Sequence, residues 1–349
     1  MLQLVLNSLD ATSIWRRLVI GDKKTVYLNY NVIYVNTIGG IKMKANTNMI
    51  CDLETGVCGV PGENVEVVDF NKKIKTITLY YVTDPICSHC WAIEPTLRKF
   101  IKQYGHYFHV QTVMGGLLEK WDGDPVDAAN GINGPADVVE HWREVGEHYR
   151  MPIDGSLMID NPVQSSYPPS RVYKIIQKQI SETKAFEYLR RVREALFVFN
   201  KNISEDSVLK EIVDAMGLNG ESIVTESNQK TGHDLLNEDF ALTSELGVRG
   251  FPTILLVNQE NKGVKIIGSR PFDSYVDGLS QVLGEQPIGN EPPTLSNLLK
   301  EEQLLFAKEI EVMYGVSESE LHQFIEQKLI TDEYTKHDFL GERYYETLK

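Results

Sequence analysis

Two cysteines three positions apart, Cys87 and Cys90, stand directly between a strand-like segment and a helix-like segment. Residues 74–82 (IKTITLYYV) are β-branched and aromatic, which is typical of a buried strand. Beyond the cysteines, apolar residues recur at helical spacing as far as Tyr104. The pattern therefore places Cys87 at the start of a helix, where unpaired backbone N–H groups favour negative charge.

This setting predicts thiol–disulfide exchange. The thiolate is the form of cysteine that attacks disulfides, and a helix N-terminus would stabilise it at Cys87. Cys90 lies one helical turn further on, close enough to attack a mixed disulfide at Cys87 and release the substrate. When protonated, His89 adds positive charge within the same turn. We therefore predict Cys87 as the nucleophile, Cys90 as the resolving thiol and His89 as a modulator of the thiol pKa.

A C-x-x-C motif is also half of a zinc site. Zinc needs four ligands, and the other two cysteines, Cys51 and Cys58, have six residues between them, which is the wrong spacing for a zinc ribbon or finger. We therefore predict no metal and no cofactor at the dithiol. Glycines near Cys51 and Cys58 would allow the loop closure of a second redox pair, which would relay electrons to the first. Metal binding and incidental thiols stay open as alternatives for that pair.

The regular segments follow the order β-α-β, a helical block, then β-β-α. The later strand-like segments are short and apolar, at residues 108–114, 253–257 and 264–267. The chain divides into an N-terminal segment of residues 1–72, a central domain of residues 73–285, and a linker with C-terminal helices at residues 286–349. Residues 115–245 are predicted as a helical insertion, and residues 294–313 as a single amphipathic helix. Ser317 and Glu320 form a capping box for the next helix.

The N-terminal segment shows no sustained periodicity and is predicted to be partly disordered. Gly39 and Gly40 stand shortly before Met43. Two glycines before a methionine are what a purine-rich ribosome-binding site would encode if it were translated in frame. One hypothesis is that the natural start is Met43 or Met49 and that the first 42 to 48 residues lie upstream of it. A genuine disordered tail is the alternative.

Charge and hydropathy exclude several classes of partner. The formal net charge of −14 argues against nucleic acid or an anionic membrane as the main partner. No apolar run reaches the roughly 18 residues that a transmembrane helix needs. The N-terminus lacks the basic start and uninterrupted apolar stretch of a secretory signal, so we predict a cytoplasmic protein. Cytoplasmic thiols are normally reduced, and close cysteine pairs there indicate redox chemistry or metal binding.

Four motifs together resemble the DsbA-like proteins of the thioredoxin superfamily and, more narrowly, its FrnE-like members. The motifs are residues 84–91 (DPICSHCW), 114–117 (MGGL), 165–170 (SSYPPS) and 246–253 (LGVRGFPT). The resemblance covers residues 73–285 and implies an α/β thioredoxin fold with a large helical insertion. It also implies protein or small-molecule disulfides as substrates, and a thioredoxin-like protein or glutathione as the redox partner.

The same resemblance implies particular site residues. Pro252 would be the cis-proline that faces the dithiol. The preceding Phe251 would pair its backbone with an extended substrate peptide, and Gly250 and Trp91 would complete the substrate-binding residues. Pro95 would kink the active-site helix because it lacks a backbone donor.

Two features depart from a minimal DsbA domain. Ser88 stands between the cysteines where the strongly oxidising family members carry proline, so that oxidising strength does not transfer to this chain. The chain also has the extra Cys51/Cys58 pair and C-terminal helices. Those helices, with Pro292-Pro293 and residues 308–310, resemble the tail of SpxH-type adaptors, which deliver a transcription factor to the ClpXP protease. An adaptor is therefore the alternative function.

Overall fold

The structure, a computed structural model, describes residues 16–19, 24–29, 32–37, 50–52, 57–59, 77–123 and 131–348. The chain forms two compact units, Met1–Lys73 and Ile74–Lys349. The hypothetical start sites, Met43 and Met49, and the predicted partial disorder lie outside the described residues. Within the described part, no helix is both long enough and apolar enough to cross a membrane.

The first unit contains two small antiparallel sheets. The three-stranded sheet has the order β1-β2-β3, with β1 at Arg16–Val19, β2 at Lys24–Asn29 and β3 at Val32–Thr37. The second sheet is a two-stranded ladder of β4, Ile50–Asp52, and β5, Val57–Gly59. Its register places Cys51 directly opposite Cys58. The two cysteines of the proposed second pair therefore occupy facing backbone positions.

The second unit is built on a four-stranded sheet, whose strands come from the predicted β-α-β and β-β-α halves of the domain. Its strands are β6 (Ile77–Thr83), β7 (Phe108–Met114), β8 (Thr253–Val257) and β9 (Gly263–Ile267), in the order β7-β6-β8-β9. β6 pairs in parallel with β7, whereas β8 is antiparallel to both β6 and β9. The helix α10, Phe272–Leu283, follows β9. The bounds of these strands lie within three residues of the predicted ones, because their β-branched composition is a local signal.

The helix after β6 is broken, as Pro95 predicts. It consists of α1, Ser88–Ala92, and α2, Glu94–Tyr104, which meet at Ile93. Pro95 stands in the first turn of α2, where its missing N–H needs no partner. The break lets α1 carry the cysteines while α2 packs on the sheet.

The predicted helical insertion is confirmed. It contains α3 (Pro135–Tyr149), α4 (Leu157–Asp160), α5 (Tyr167–Gln179), α6 (Glu182–Phe197), α7 (Asp206–Ala215), α8 (Gly220–Ser227) and α9 (Lys230–Glu245). Their apolar faces join the sheet in one large core. Two arginines of α6, Arg190 and Arg193, lie inside that core with no more than 1% of their surface exposed.

The C-terminal extension is not purely helical. It contains α11 (Leu295–Glu302), β10 (Leu304–Phe306), α12 (Ala307–Tyr314), α13 (Glu318–Lys328), β11 (Tyr334–Phe339) and β12 (Glu342–Thr347). The three strands form a sheet of order β10-β12-β11. The predicted capping box at the start of α13 is present, since the backbone N–H of Ser317 donates to Glu320 at 3.1 Å.

The prediction of one helix over residues 294–313 is wrong. Gln303 has a φ of 64°, which ends α11, and residues 304–306 then extend as β10. β10 pairs with β12, some forty residues further along the chain. Helical spacing of apolar residues cannot reveal a strand whose partner is so distant in sequence.

Candidate active site

The two cysteines of the C-x-x-C motif sit at the N-terminus of α1, as predicted. Cys87 is the N-cap residue, and the backbone N–H of Cys90 donates to its Sγ at 3.2 Å. The carbonyl of Cys87 accepts the N–H groups of Cys90 and Trp91, both at 3.1 Å. Both thiols are free, so the structure shows the dithiol.

The two sulfurs differ in their access to solvent. Cys87 is 6% exposed and lines a cavity of about 330 Å³, whereas Cys90 has no exposed surface. The cavity walls are mostly apolar and aromatic: Ile86, Leu117, Leu118, Trp121, Ile132, Val138, Trp142, Met158 and Phe251. Its polar lining includes Ser88, His89, His141 and Arg249. A molecule that enters the cavity therefore meets Cys87, with Cys90 behind it.

The Phe251–Pro252 peptide bond is cis, as the resemblance implies. Gly250 and Phe251 form part of the cavity wall, while Pro252 is buried and its carbonyl accepts the N–H of Gly268 at 2.8 Å. The Phe251 ring lies against Gly115. A Cβ atom at Gly115 would come within 2.1 Å of that ring, so only glycine fits there.

Asp84 joins three of the sequence motifs around this cavity. Its carboxylate accepts the N–H of Ile86 at 3.0 Å, the N–H of Leu117 at 2.7 Å and the hydroxyl of Ser166 at 2.8 Å. Asp84 is buried, and burial raises the pKa of its carboxyl group against the opposing effect of these three donors. With three donors in place, Asp84 anchors the loops that form the cavity.

A buried arginine lies beneath the dithiol. The Arg193 Nη2 atom donates to the Thr83 hydroxyl at 2.6 Å and to the Asp84 carbonyl at 3.1 Å. Its Nη1 atom donates to Glu94 at 2.5 Å and to the Tyr81 hydroxyl at 3.2 Å. The sequence motifs do not include Arg193. The sequence feature that could have pointed to Arg193 is an arginine on the apolar face of an amphipathic helix, within residues 185–199 (AFEYLRRVREALFVF).

The two thiols lie close together, and their ionisation is coupled. Burial raises the pKa of Cys87, and the adjacent Cys90 sulfur raises it further. At Cys90, burial is outweighed by a hydrogen bond from Cys87, the Arg193 charge and the Thr83 hydroxyl, so its pKa is lowered. In the singly ionised pair one proton is shared between the sulfurs, and the Arg193 charge favours a thiolate at both of them. Attack by Cys87 requires that proton to pass to Cys90.

His89 is half-buried and lines the cavity beside other aromatic rings. Its ring centroid is 5.8 Å from that of His141 and 6.1 Å from that of Tyr149. Burial lowers the pKa of His89, and His141 and His148 lower it further. The imidazole is therefore neutral near pH 7, so it does not supply the full positive charge that the sequence suggested.

Trp91 does not reach the cavity. Its side chain has no exposed surface and packs against Phe197 and Phe306, with both ring centroids at 5.7 Å. The Arg190 guanidinium lies 4.8 Å from the Trp91 ring. The expectation that Trp91 binds substrate is therefore corrected, because Trp91 connects the active-site helix to α6 and to the C-terminal extension.

The lowered pKa of His89 predicts a pH-dependent loss of stability. The folded state binds fewer protons at this site than the unfolded state, so the unfolding free energy should fall as pH drops below about 6.5. Urea unfolding of a His89→Gln variant should show a smaller fall between about pH 7 and about pH 5. The matched control is His322→Gln, at an exposed position, which should follow the wild type. Equal pH profiles for wild type and His89→Gln would contradict the prediction.

A dithiol at a helix N-terminus, beside a cis-proline on a mixed four-stranded sheet with a helical insertion, defines a DsbA-like protein of the thioredoxin fold. A family model described as thioredoxin matches residues 80–277. The chain belongs to the thioredoxin family.

Two curated relatives of this chain are named as adaptor proteins. The ClpXP adapter protein SpxH of Shouchella clausii (strain KSM-K16) is 30% identical over 273 residues, covering 77% of this chain and 87% of that protein. The SpxH protein of Halalkalibacterium halodurans is 28% identical over 282 residues, covering 80% and 91%. Among solved structures, the cytosolic disulfide reductase DsbM from Pseudomonas aeruginosa is 23% identical with a TM-score of 0.44, covering 54% of this chain and 89% of that one.

Proposed function

We propose that this chain exchanges disulfides with protein or small-molecule substrates through Cys87 and Cys90. The observation that carries the proposal is the asymmetry of the dithiol. Cys87 faces a cavity from the N-terminus of α1, and Cys90 lies buried behind it next to donors that favour its thiolate. An attacking sulfur that lines a cavity and a second sulfur sheltered behind it are what two-step disulfide exchange requires.

The proposed reaction begins when Cys87 attacks one sulfur of a substrate disulfide. Its proton passes to the Cys90 sulfur, a mixed disulfide forms at Cys87, and the first substrate thiolate leaves. That thiolate takes the proton from Cys90, and the Cys90 thiolate then attacks the Cys87 sulfur. The Cys87–Cys90 disulfide forms, the second substrate sulfur leaves as a thiolate that takes a proton from solvent, and two electrons have moved to the substrate. A thioredoxin-like protein or glutathione would reduce the chain again.

The apolar cavity and the backbone of residues 250–251 beside it support peptide disulfides as substrates. Gly250 and Phe251 stand next to the dithiol, where their backbone groups would pair with an extended peptide. His89 contributes a neutral imidazole at the cavity wall in this proposal. We place the reaction in the cytoplasm, where thiols are normally kept reduced.

The division into residues 1–72, 73–285 and 286–349 is kept as part of the proposal, with redox chemistry assigned to the central domain. Cys51 and Cys58 are proposed as a second redox pair. Their facing positions in the β4–β5 register support that proposal.

A second candidate is an SpxH-like adaptor that presents a protein to the ClpXP protease. The similarity to SpxH proteins supports it. That similarity covers 273 residues, whereas the thioredoxin model matches only residues 80–277, so the similarity extends beyond the thioredoxin region. The C-terminal extension is tied to the domain by buried ion pairs between Arg98 and Glu302 and between Arg190 and Glu309. The dithiol domain and the extension would then offer one continuous surface to a protein partner.

One variant separates the two candidates. Cys87→Ser should lower the rate of insulin disulfide reduction at least about a hundredfold, because serine cannot form the mixed disulfide. The same variant should leave ClpXP-dependent degradation of a bound protein unchanged if the chain acts as an adaptor by docking alone. Wild-type protein that fails to reduce insulin disulfides, or Cys87→Ser that reduces them at the wild-type rate, would refute the exchange proposal.

A further inference from the structure

We infer that Arg249 is a specificity-determining residue that selects peptide disulfides with an acidic side chain next to the reacting cysteine. The inference rests on the proposed exchange reaction and deepens it, because it names the class of substrate that the cavity at Cys87 accepts. Three observations carry it: the charge of the cavity wall, the unpaired guanidinium of Arg249, and the position of Arg249 beside the path of a bound peptide.

The cavity at Cys87 has a local charge opposite to that of the chain. The chain has a formal net charge of −14, yet the described residues that line the cavity include no Asp and no Glu. Arg249 is the only lysine or arginine among those lining residues. Glu119 and Asp122 neighbour lining residues in the sequence but do not belong to the described wall. A negatively charged group in the cavity therefore meets a cation and no carboxylate of that wall.

The guanidinium of Arg249 has no partner within the described part of the chain. Every other arginine whose side chain the structure describes donates at least one hydrogen bond to another residue. Arg249 donates none to the described residues, and it is exposed. The carboxylate of Asp84, the buried acid beside the dithiol, is already held by three donors of the protein. The planar fork of N–H groups on Arg249 is therefore available to bind a carboxylate through two hydrogen bonds.

Arg249 lies directly before the backbone that would pair with a peptide. Gly250 and Phe251 form part of the cavity wall, ahead of the cis peptide bond to Pro252. A Cβ atom at Gly250 would meet no atom within 4 Å, so there is open space beside this backbone. A peptide paired with this segment in extended form would place its cysteine at Cys87 and a neighbouring side chain within reach of Arg249.

An acidic side chain at that place gains a contact that a basic one lacks. A hydrogen bond between a guanidinium and a carboxylate is roughly twice as strong as one between neutral groups. The apolar wall of the cavity reduces the screening of that contact by water. A lysine in the peptide would instead face the like charge of Arg249. Salt at about 0.15 M screens the acids of the chain that lie more than about 8 Å away, so the contact with Arg249 decides the preference.

The test compares three peptides of equal length, each closed by one disulfide, with Glu, Gln or Lys on both sides of each cysteine. Reduced protein is mixed with each peptide at about 0.15 M salt, and the reaction is stopped with acid. Mass spectrometry of the reduced peptide gives the second-order rate constant of one turnover. The rate of Cys87→Ser, which reports any reaction at Cys51 and Cys58, is subtracted. Wild-type protein should reduce the Glu peptide about tenfold faster than the Lys peptide, with the Gln peptide between them.

Variants of Arg249 should change the ratio of the Glu-peptide rate to the Lys-peptide rate. The ratio should fall at least about fivefold in Arg249→Gln and reverse in Arg249→Glu. Arg249→Lys keeps the charge but not the planar fork, so a preference of about threefold should remain. Because the ratio is taken within each variant, a partial loss of folded protein lowers both rates and cancels.

The matched control is Arg343→Gln. It makes the same change in net charge at an arginine outside the cavity, whose side chain is 51% exposed, and it should keep the wild-type ratio. Equal rates for the Glu and Lys peptides on the wild type would overturn the inference. An unchanged ratio in Arg249→Glu, or a loss in Arg343→Gln as large as that in Arg249→Gln, would overturn it as well.

Binding without exchange separates this inference from the proposed function. Fluorescently labelled Glu and Lys peptides with S-methylated cysteines cannot exchange disulfides, and their fluorescence anisotropy gives Kd for wild type and Arg249→Glu. A protein that reduces no peptide but binds the Glu peptide more tightly, with the preference reversed in Arg249→Glu, would refute the proposed function and leave this inference standing. Reduction of both peptides at one rate would do the opposite, and equal affinities without any exchange would refute both.

Discussion

Replacing Cys90 by serine is expected to leave Cys87 joined to substrate in a stable mixed disulfide. In this variant Cys87 can still attack, because it lines the cavity, but no second sulfur remains to release the substrate. Turnover should fall at least about a hundredfold while the covalent adduct accumulates. Non-reducing electrophoresis followed by mass spectrometry would identify the adduct on the peptide that contains Cys87.

The matched control is Cys87→Ser, which should form no adduct at this site. Its remaining sulfur, Cys90, has no exposed surface, so a substrate disulfide cannot reach it. Equal trapping by the two variants would show that access to the cavity does not assign the roles.

The second large effect is expected from Arg190→Met. The Arg190 guanidinium donates from Nη1 and Nη2 to the two oxygens of Glu309 at 2.7 and 2.8 Å, and from Nε to Glu194 at 2.7 Å. It also stacks on Trp91, next to Cys90. Methionine fills a similar volume but leaves buried carboxylates without their cation, which should lower the unfolding free energy by about 3–5 kcal/mol.

Urea unfolding monitored by circular dichroism measures this loss. The matched control is Lys230→Met, which breaks the ion pair with Asp234 on the surface, where the lysine side chain is 86% exposed. It should change the unfolding free energy by no more than about 0.5 kcal/mol, because solvent screens an exposed pair. A loss in Arg190→Met as small as in the control would show that the buried network does not hold the extension on the domain.

Much of the central domain was predictable because its signals are local. The strands at residues 108–114 and 253–257 have the predicted bounds. Pro95 divides the active-site helix as its missing N–H requires. The C-x-x-C spacing between a strand and a helix placed Cys87 at a helix N-terminus before any coordinates were known.

The errors lie where a property depends on residues far apart in the chain. The split of residues 294–313 follows from pairing with β12, and the burial of Trp91 follows from Phe197 and Phe306. The pKa of His89 is lowered by burial and by two histidines of α3. None of these partners is within helical or strand spacing of the residue that it affects.

The sequence alone therefore determined the order of the elements in the central domain, the dithiol and its position, because propensity, periodicity and motif spacing act over a few residues. Only the tertiary structure decided which charged group lies beneath the dithiol. Arg193 on α6 comes to lie under β6 and α1 through packing, and a buried cation acts strongly on a neighbouring thiolate because little water remains to screen it.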